Sequence, residues 1–86
     1  MDINELIANV KKKLINQINI ENIKIEDKTF LHKKHLNFQE GKFHLKVTIE
    51  SIELKKLNKI DSNKKIYRIL DSEMKNFIHS LQILIL

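Results

Sequence analysis

Four histidines and no cysteine set the chemistry open to this chain. Neutral imidazole is a borderline-soft donor for iron, copper or zinc, whereas iron–sulfur clusters and Cys-type zinc sites are built on thiolates. The chain can therefore offer nitrogen, and any cluster it helps to hold must take its sulfur from elsewhere. His32 and His35 bracket two lysines in His32-Lys33-Lys34-His35, His44 follows within an alternating stretch, and His79 lies near the C-terminal end. The His-Lys-Lys-His run is the only hydrolase-like feature, and it lacks the glutamate that serves as general base in HExxH. Ser51, Ser62, Ser72 and Ser80 have no discernible triad context, and the scattered Asp and Glu read as solvated surface charges. Independent catalysis is not expected.

What must position the histidines is a small number of elements. Asp2 can cap a helix with Glu5 as its capping-box partner, and Ile3, Leu6, Ile7, Val10, Leu14 and Ile18 follow helical spacing, so residues 2–17 read as an amphipathic helix. Lys11, Lys12 and Lys13 fall in its later turns, where cations suit the helix dipole, and read as a solvated helix end. A first strand covers about 20–26, where Ile23 and Ile25 alternate with polar residues. The clearest strand follows Gly41: Phe43, Leu45, Val47 and Ile49 point one way and His44, Lys46, Thr48 and Glu50 the other, which implies a half-exposed sheet with His44 structural or solvated on its outer face. The connection between them, 28–41, is long enough to suggest function. From Leu54 to Phe77, the spacing of Leu57, Ile60, Ile66, Tyr67, Leu70, Met74 and Phe77 supports helix, broken near Asp61 and Ser62, which can cap a second segment. Leu81, Ile83 and Ile85 close the chain in strand phase.

The order is α-β-β-α-α-β, an α+β domain, and at 86 residues one core must serve residues 1–86 as a single domain. Strands joined through helices in one sheet run parallel, with a right-handed crossover, so the last strand should lie parallel to the one at 43–49. Their beginnings then share one end of the sheet, where the long connection could bring His32 or His35 toward His79. Spacing alone favours the plainer reading, in which His79 is a helix-to-strand histidine hydrogen-bonded at the core edge and His32 and His35 are solvated.

The blocks IEDKTFLHKKH, GKFHLKVTIES, LNKIDSNKKIYRIL and FIHSLQI, in that order over roughly Ile20 to Ile83, resemble the BolA family. The resemblance implies a BolA-like fold related to the KH architecture, with a three-stranded mixed sheet and helices on one face. It also implies pairing with a monothiol glutaredoxin and sharing of a glutathione-bound [2Fe-2S] cluster, with none held by the isolated chain. The histidine of the family's closing HAL-like motif is a cluster ligand and corresponds to His79 in IHSL; a loop histidine or cysteine is the other, best matched by His32, with His35 as the fallback. Asn63 and Lys64 stand where relatives carry a His-Arg pair, which puts that pair's contacts in doubt. The chain also stops soon after the last strand, without the tail of some relatives, which would alter how a partner docks.

Two functions follow from different classes. One is a binding adaptor in iron–sulfur assembly, trafficking or iron regulation. The other is a nucleic-acid-binding transcriptional regulator, which the resemblance implies through the KH-like order and the DNA binding of some relatives, with Lys64, Lys65 and Arg68 as contacts to DNA; the net charge of +5 agrees with it, but a lysine-rich composition equally reflects AT-rich coding. Against it, Gly41 is the only glycine, so no GxxG loop can form, and the exposed strand face offers Lys46 and Thr48 but no stacking aromatic. Met1 to Val10 lacks an apolar signal core, and no run approaches a membrane span, so a cytoplasmic protein is expected; the resemblance implies a chain that is monomeric alone and heterodimeric with its glutaredoxin.

Overall fold

The structure, a computed structural model, describes residues 1–29 and 42–86. Helix α1 spans Ile3–Gln17, and its N-cap is the expected one: Asp2 Oδ1 accepts the Glu5 amide at 2.8 Å. Leu6, Val10 and Leu14 form its buried row. Strands β1 (Asn22–Asp27), β2 (Phe43–Glu50) and β3 (Ile78–Ile85) form one sheet in the order β1-β2-β3, with β1 antiparallel and β3 parallel to β2. The parallel pairing is the one the helical crossover requires. This is the expected α+β arrangement with a mixed sheet.

Register fixes which sheet face is dry. Ile23, Ile25, Leu45, Val47, Ile49, Leu81, Ile83 and Ile85 pair across the strands on one face, against the helices, and Lys24, Glu26, Lys46, Thr48 and Gln82 occupy the other. Each fully buried Leu, Ile or Val contributes roughly 1.5–3 kcal/mol relative to exposure. The core gathers Leu6, Val10 and Leu14 from α1, the inner row of β2, and Leu54, Ile66 and Leu70 from the crossover.

The crossover departs from the sequence reading. It contains three helical segments, α2 (Ile52–Lys55), α3 (Lys59–Ile69) and α4 (Asp71–Asn76), and the break falls at residues 56–58, not near Asp61 and Ser62. Asn58 caps α3 by accepting the Asp61 amide at 2.8 Å, and Ser51 caps α2 while donating its hydroxyl to the Asn19 carbonyl at 2.8 Å. Moving the break shifts the buried row to Ser62, Ile66 and Leu70, and leaves Ile60 at 66% exposure and Leu57 and Tyr67 near the surface. Asn58, Asp61 and Ser62 are all competent caps; the sheet, by selecting the Ser62–Ile66–Leu70 row, decides between them.

Lys13 is a second correction. The helix ends at Gln17 as expected, with the three lysines upstream of its last turn, but Lys13, beside the buried Val10 and Leu14, is not simply solvated and meets Glu73 of α4 at 2.7 Å. Glu73 is buried, so this pair ties α1 to the crossover, whereas Lys11 and Lys12 remain exposed. Among the described residues no helix is long and apolar enough to cross a membrane.

Candidate functional site

Strands β2 and β3 begin side by side, and one residue too many separates their first two pairs. Phe43 pairs with Ile78 and His44 with Ser80, so His79 is an extra residue on β3. Such a bulge breaks the alternation and re-aims side chains. Here Ile78 is buried, Leu81 is the next buried residue, and His79 and Ser80 are both exposed. The Phe43 amide, donating to the Phe77 carbonyl at 2.9 Å, holds the two strand starts together on the near side of the bulge. His79 is therefore presented at the sheet's rim by backbone geometry.

Behind it stands His44, which belongs to the outer row of β2 yet is only 6% exposed. Its ring centroid lies 4.9 Å from that of His79, with the planes tilted by 36°. Its Nδ1 is 2.6 Å from Ser80 Oγ, the next residue of the bulged strand. Its backbone is held as firmly: the His44 amide donates to Thr29 Oγ1 at 3.1 Å, and its carbonyl accepts the Lys28 amide at 2.7 Å. The Thr29 amide in turn donates to Asp27 Oδ1 at 2.9 Å, an Asx-type turn at the exit of β1. The solvated alternative for His44 is thus overturned: it is a buried ring packed against the exposed one.

Of the expected ligands, His79 lies at the rim and exposed. His32 and His35 lie outside the described residues, whose bracketing positions, Thr29 and Lys42, flank the start of β2 beside His44. His44 is the residue that sequence reasoning missed, since strict alternation placed it on the polar face. The bulge did leave a signal: the inward aliphatics Ile78 and Leu81 are three apart, where an unbroken strand needs an even step. Among the described residues no three side chains of metal-ligating type gather. What the described part of the rim offers is imidazole nitrogen at an exposed surface, a donor type suited to a transition metal.

The basic residues expected to meet nucleic acid all lie on α3. Lys64 and Arg68 are exposed and one helical turn apart on α3. Lys65 instead pairs with Glu53 at 2.9 Å. That hydrogen bond, followed by the Asn19 amide, holds the Glu53 carboxyl below its ordinary range. A depressed folded-state pKa stabilises above the unfolded value and is lost as pH falls through the folded one. Lys65→Met should therefore raise the Glu53 midpoint toward that of a free glutamate and weaken this acid-side dependence, as read by carboxyl carbon chemical shifts; an unmoved midpoint would show that Lys65 is not the cause.

Comparison with known proteins adds the following. The family profile described as BolA-like protein matches residues 14–86. No curated protein sequence matches significantly. Among solved structures, BolA1 from Arabidopsis thaliana is similar at a TM-score of 0.79 and 21% identity, over 93% of this chain and 88% of that one. The BolA domain of SufE1 from Arabidopsis thaliana gives 0.77 and 22%, over 91% and 86%. BolA1 from Mus musculus gives 0.73 and 16%, over 92% of this chain and 62% of that one. Identities this low bear on the fold alone.

Proposed function

The chain belongs to the BolA-like family, and from that premise we propose that it is a non-catalytic adaptor that pairs with a monothiol glutaredoxin and ligates a shared [2Fe-2S] cluster through His79. The observation that carries this reading is the exposed His79 ring, set out by the bulge and backed by His44. The donor set fits half of such a site. This chain has no cysteine, so thiolate must come from the glutaredoxin and glutathione. When bound, a cluster with imidazole on one iron supplies a redox centre of raised potential whose retention depends on pH, because a ligating histidine must be deprotonated. His79 would hold the iron; His32 or His35 is the proposed source of a second nitrogen.

His44 acts in this proposal as a positioning residue. Its ring limits the orientations open to His79, and Ser80 Oγ fixes the ring in turn. Residues that orient ligands typically change metal affinity by roughly 10- to 100-fold when replaced. His44→Ala should therefore weaken cluster retention by about tenfold, whereas His44→Phe, which keeps an aromatic ring against His79, should restore part of it. Equal and complete loss in both would identify His44 as a ligand instead.

The test of the adaptor reading is a titration of this chain into a monothiol glutaredoxin with iron, sulfide and glutathione. Visible circular dichroism should change from the glutaredoxin homodimer spectrum to a distinct mixed-complex spectrum, saturating at one chain per glutaredoxin. A spectrum unaffected by the added chain would end the proposal.

A second reading, nucleic-acid binding, is favoured by the exposed Lys64 and Arg68 on one face of α3. It requires binding to a defined DNA site whose affinity falls steeply with salt, and it would lose a salt-slope increment of about one per lysine or arginine removed.

A further inference from the structure

The far end of β3 carries a feature that the histidine rim does not use. Strand β3 lies at the sheet's edge, with β2 on one side and, among the described residues, no strand on the other. The Leu86 amide donates to the Ile49 carbonyl of β2, so by strand alternation the amides and carbonyls of Leu81, Ile83 and Ile85 point away from the sheet. The Leu81 carbonyl is taken by Tyr67 Oη at 3.0 Å. Beyond that stop, Ile83 and Ile85 present their backbone along a groove of about 360 Å³ between the strand edge and the α2–α3 turn.

Leu54, Leu57, Ile83, Leu84 and Ile85 contribute its aliphatic lining, and among the described residues Lys55 and Lys59, both exposed, contribute its only charges. Leu84, on the outer sheet face, is itself 43% exposed. An apolar edge strand left open is a template for pairing with another chain.

We propose that this groove binds an extended segment of a partner protein that adds to the edge of β3 at Ile83–Ile85, with aliphatic side chains at alternate positions and carboxylates that meet Lys55 and Lys59. Backbone pairing would supply affinity, and the alternate side chains and the two lysines would supply selection. Two other occupants fit less well. A second copy of β3 brings Ile78–Ile85, which has no acidic residue, so the lysines would go unanswered. Single-stranded nucleic acid binds largely by stacking on aromatic rings, and among the described residues none lines the groove. The inference is independent of the cluster reading, since the groove lies roughly 13–20 Å along the strand from His79.

The probe is a fluorescent, end-blocked heptapeptide with glutamate, valine, leucine and glutamate at its odd, helix-facing positions and threonine between them, titrated into the full chain labelled with nitrogen-15. Saturable binding is expected, with shifts and slowed solvent exchange at the Ile83 and Ile85 amides. Binding should weaken at least about tenfold for the same peptide with lysine in place of glutamate, and for the exposed double variant Lys55→Glu/Lys59→Glu. The proposal is overturned by absence of binding, by equal binding of the lysine peptide, by an oligonucleotide that perturbs the same amides more tightly than the peptide, or by sedimentation showing a homodimer in which those amides are already protected.

Discussion

His79→Ala should abolish the mixed-complex signature in visible circular dichroism while leaving the melting temperature of the isolated chain little changed. The two halves of this expectation have different causes. The ring is exposed and occupies the extra position of a bulge, so its removal deletes its packing against His44 but no contact of the aliphatic core, and should alter stability by no more than about 1 kcal/mol. As the proposed iron ligand, however, it is the one exposed imidazole among the described residues of the rim. The loss should exceed the roughly 10- to 100-fold typical of residues that merely orient a ligand. His79→Cys supplies a different donor at the same place, and should return a cluster with an altered spectrum. If the alanine variant gives the same mixed spectrum and the same cluster lifetime, the assignment of His79 is wrong, whatever becomes of the partnership.

The largest effect on stability should come from the same end of the sheet but its opposite face. Leu45, 2% exposed, lies on the central strand between Asp27 of β1 and Leu81 of β3. With strands on both sides and helices over the face, little can relax into the space its side chain leaves. Leu45→Ala should cost about 2–5 kcal/mol, a large share of the roughly 5–15 kcal/mol that holds a typical domain together. For a chain of this size the melting temperature should drop by roughly 10–30 °C. A fall of only a few degrees would mean that the sheet end is looser than its burial indicates. Measured beside His79→Ala, the pair separates a residue that builds the rim from one that is displayed on it.

Much of the architecture is legible in the residues because each signal there is local and single-valued. Asp2 and Glu5 start α1, Leu6, Val10 and Leu14 define its buried row, and the alternation from Phe43 to Ile49 fixes both faces of β2. The parallel course of β3 follows from connection rules alone. The α2–α3 break was not legible, because three potential caps stand within five residues and only tertiary packing selects Asn58. Ile60 illustrates the same limit: an aliphatic residue at helical spacing, yet two-thirds exposed at the start of α3. At the site, His79 stood out through a family resemblance, whereas His44 did not, since its burial depends on the neighbours that the bulge and the Asp27–Thr29 turn bring around it. Lys13 was misjudged for a related reason: Glu73 is 60 residues away, and nothing near Lys13 announces it.

Remove one residue between Ile78 and Leu81 and β3 would regain an even step, with both aliphatics still facing the helices. Packing thus supplies no demand for the surplus position; a flush strand would serve the interior equally well. The interval between those two aliphatics therefore works as a ruler that can be laid on any similar sequence. An odd interval would mark a chain that holds a side chain out at this corner, and an even one a chain that keeps the corner flat, even where a histidine stands nearby.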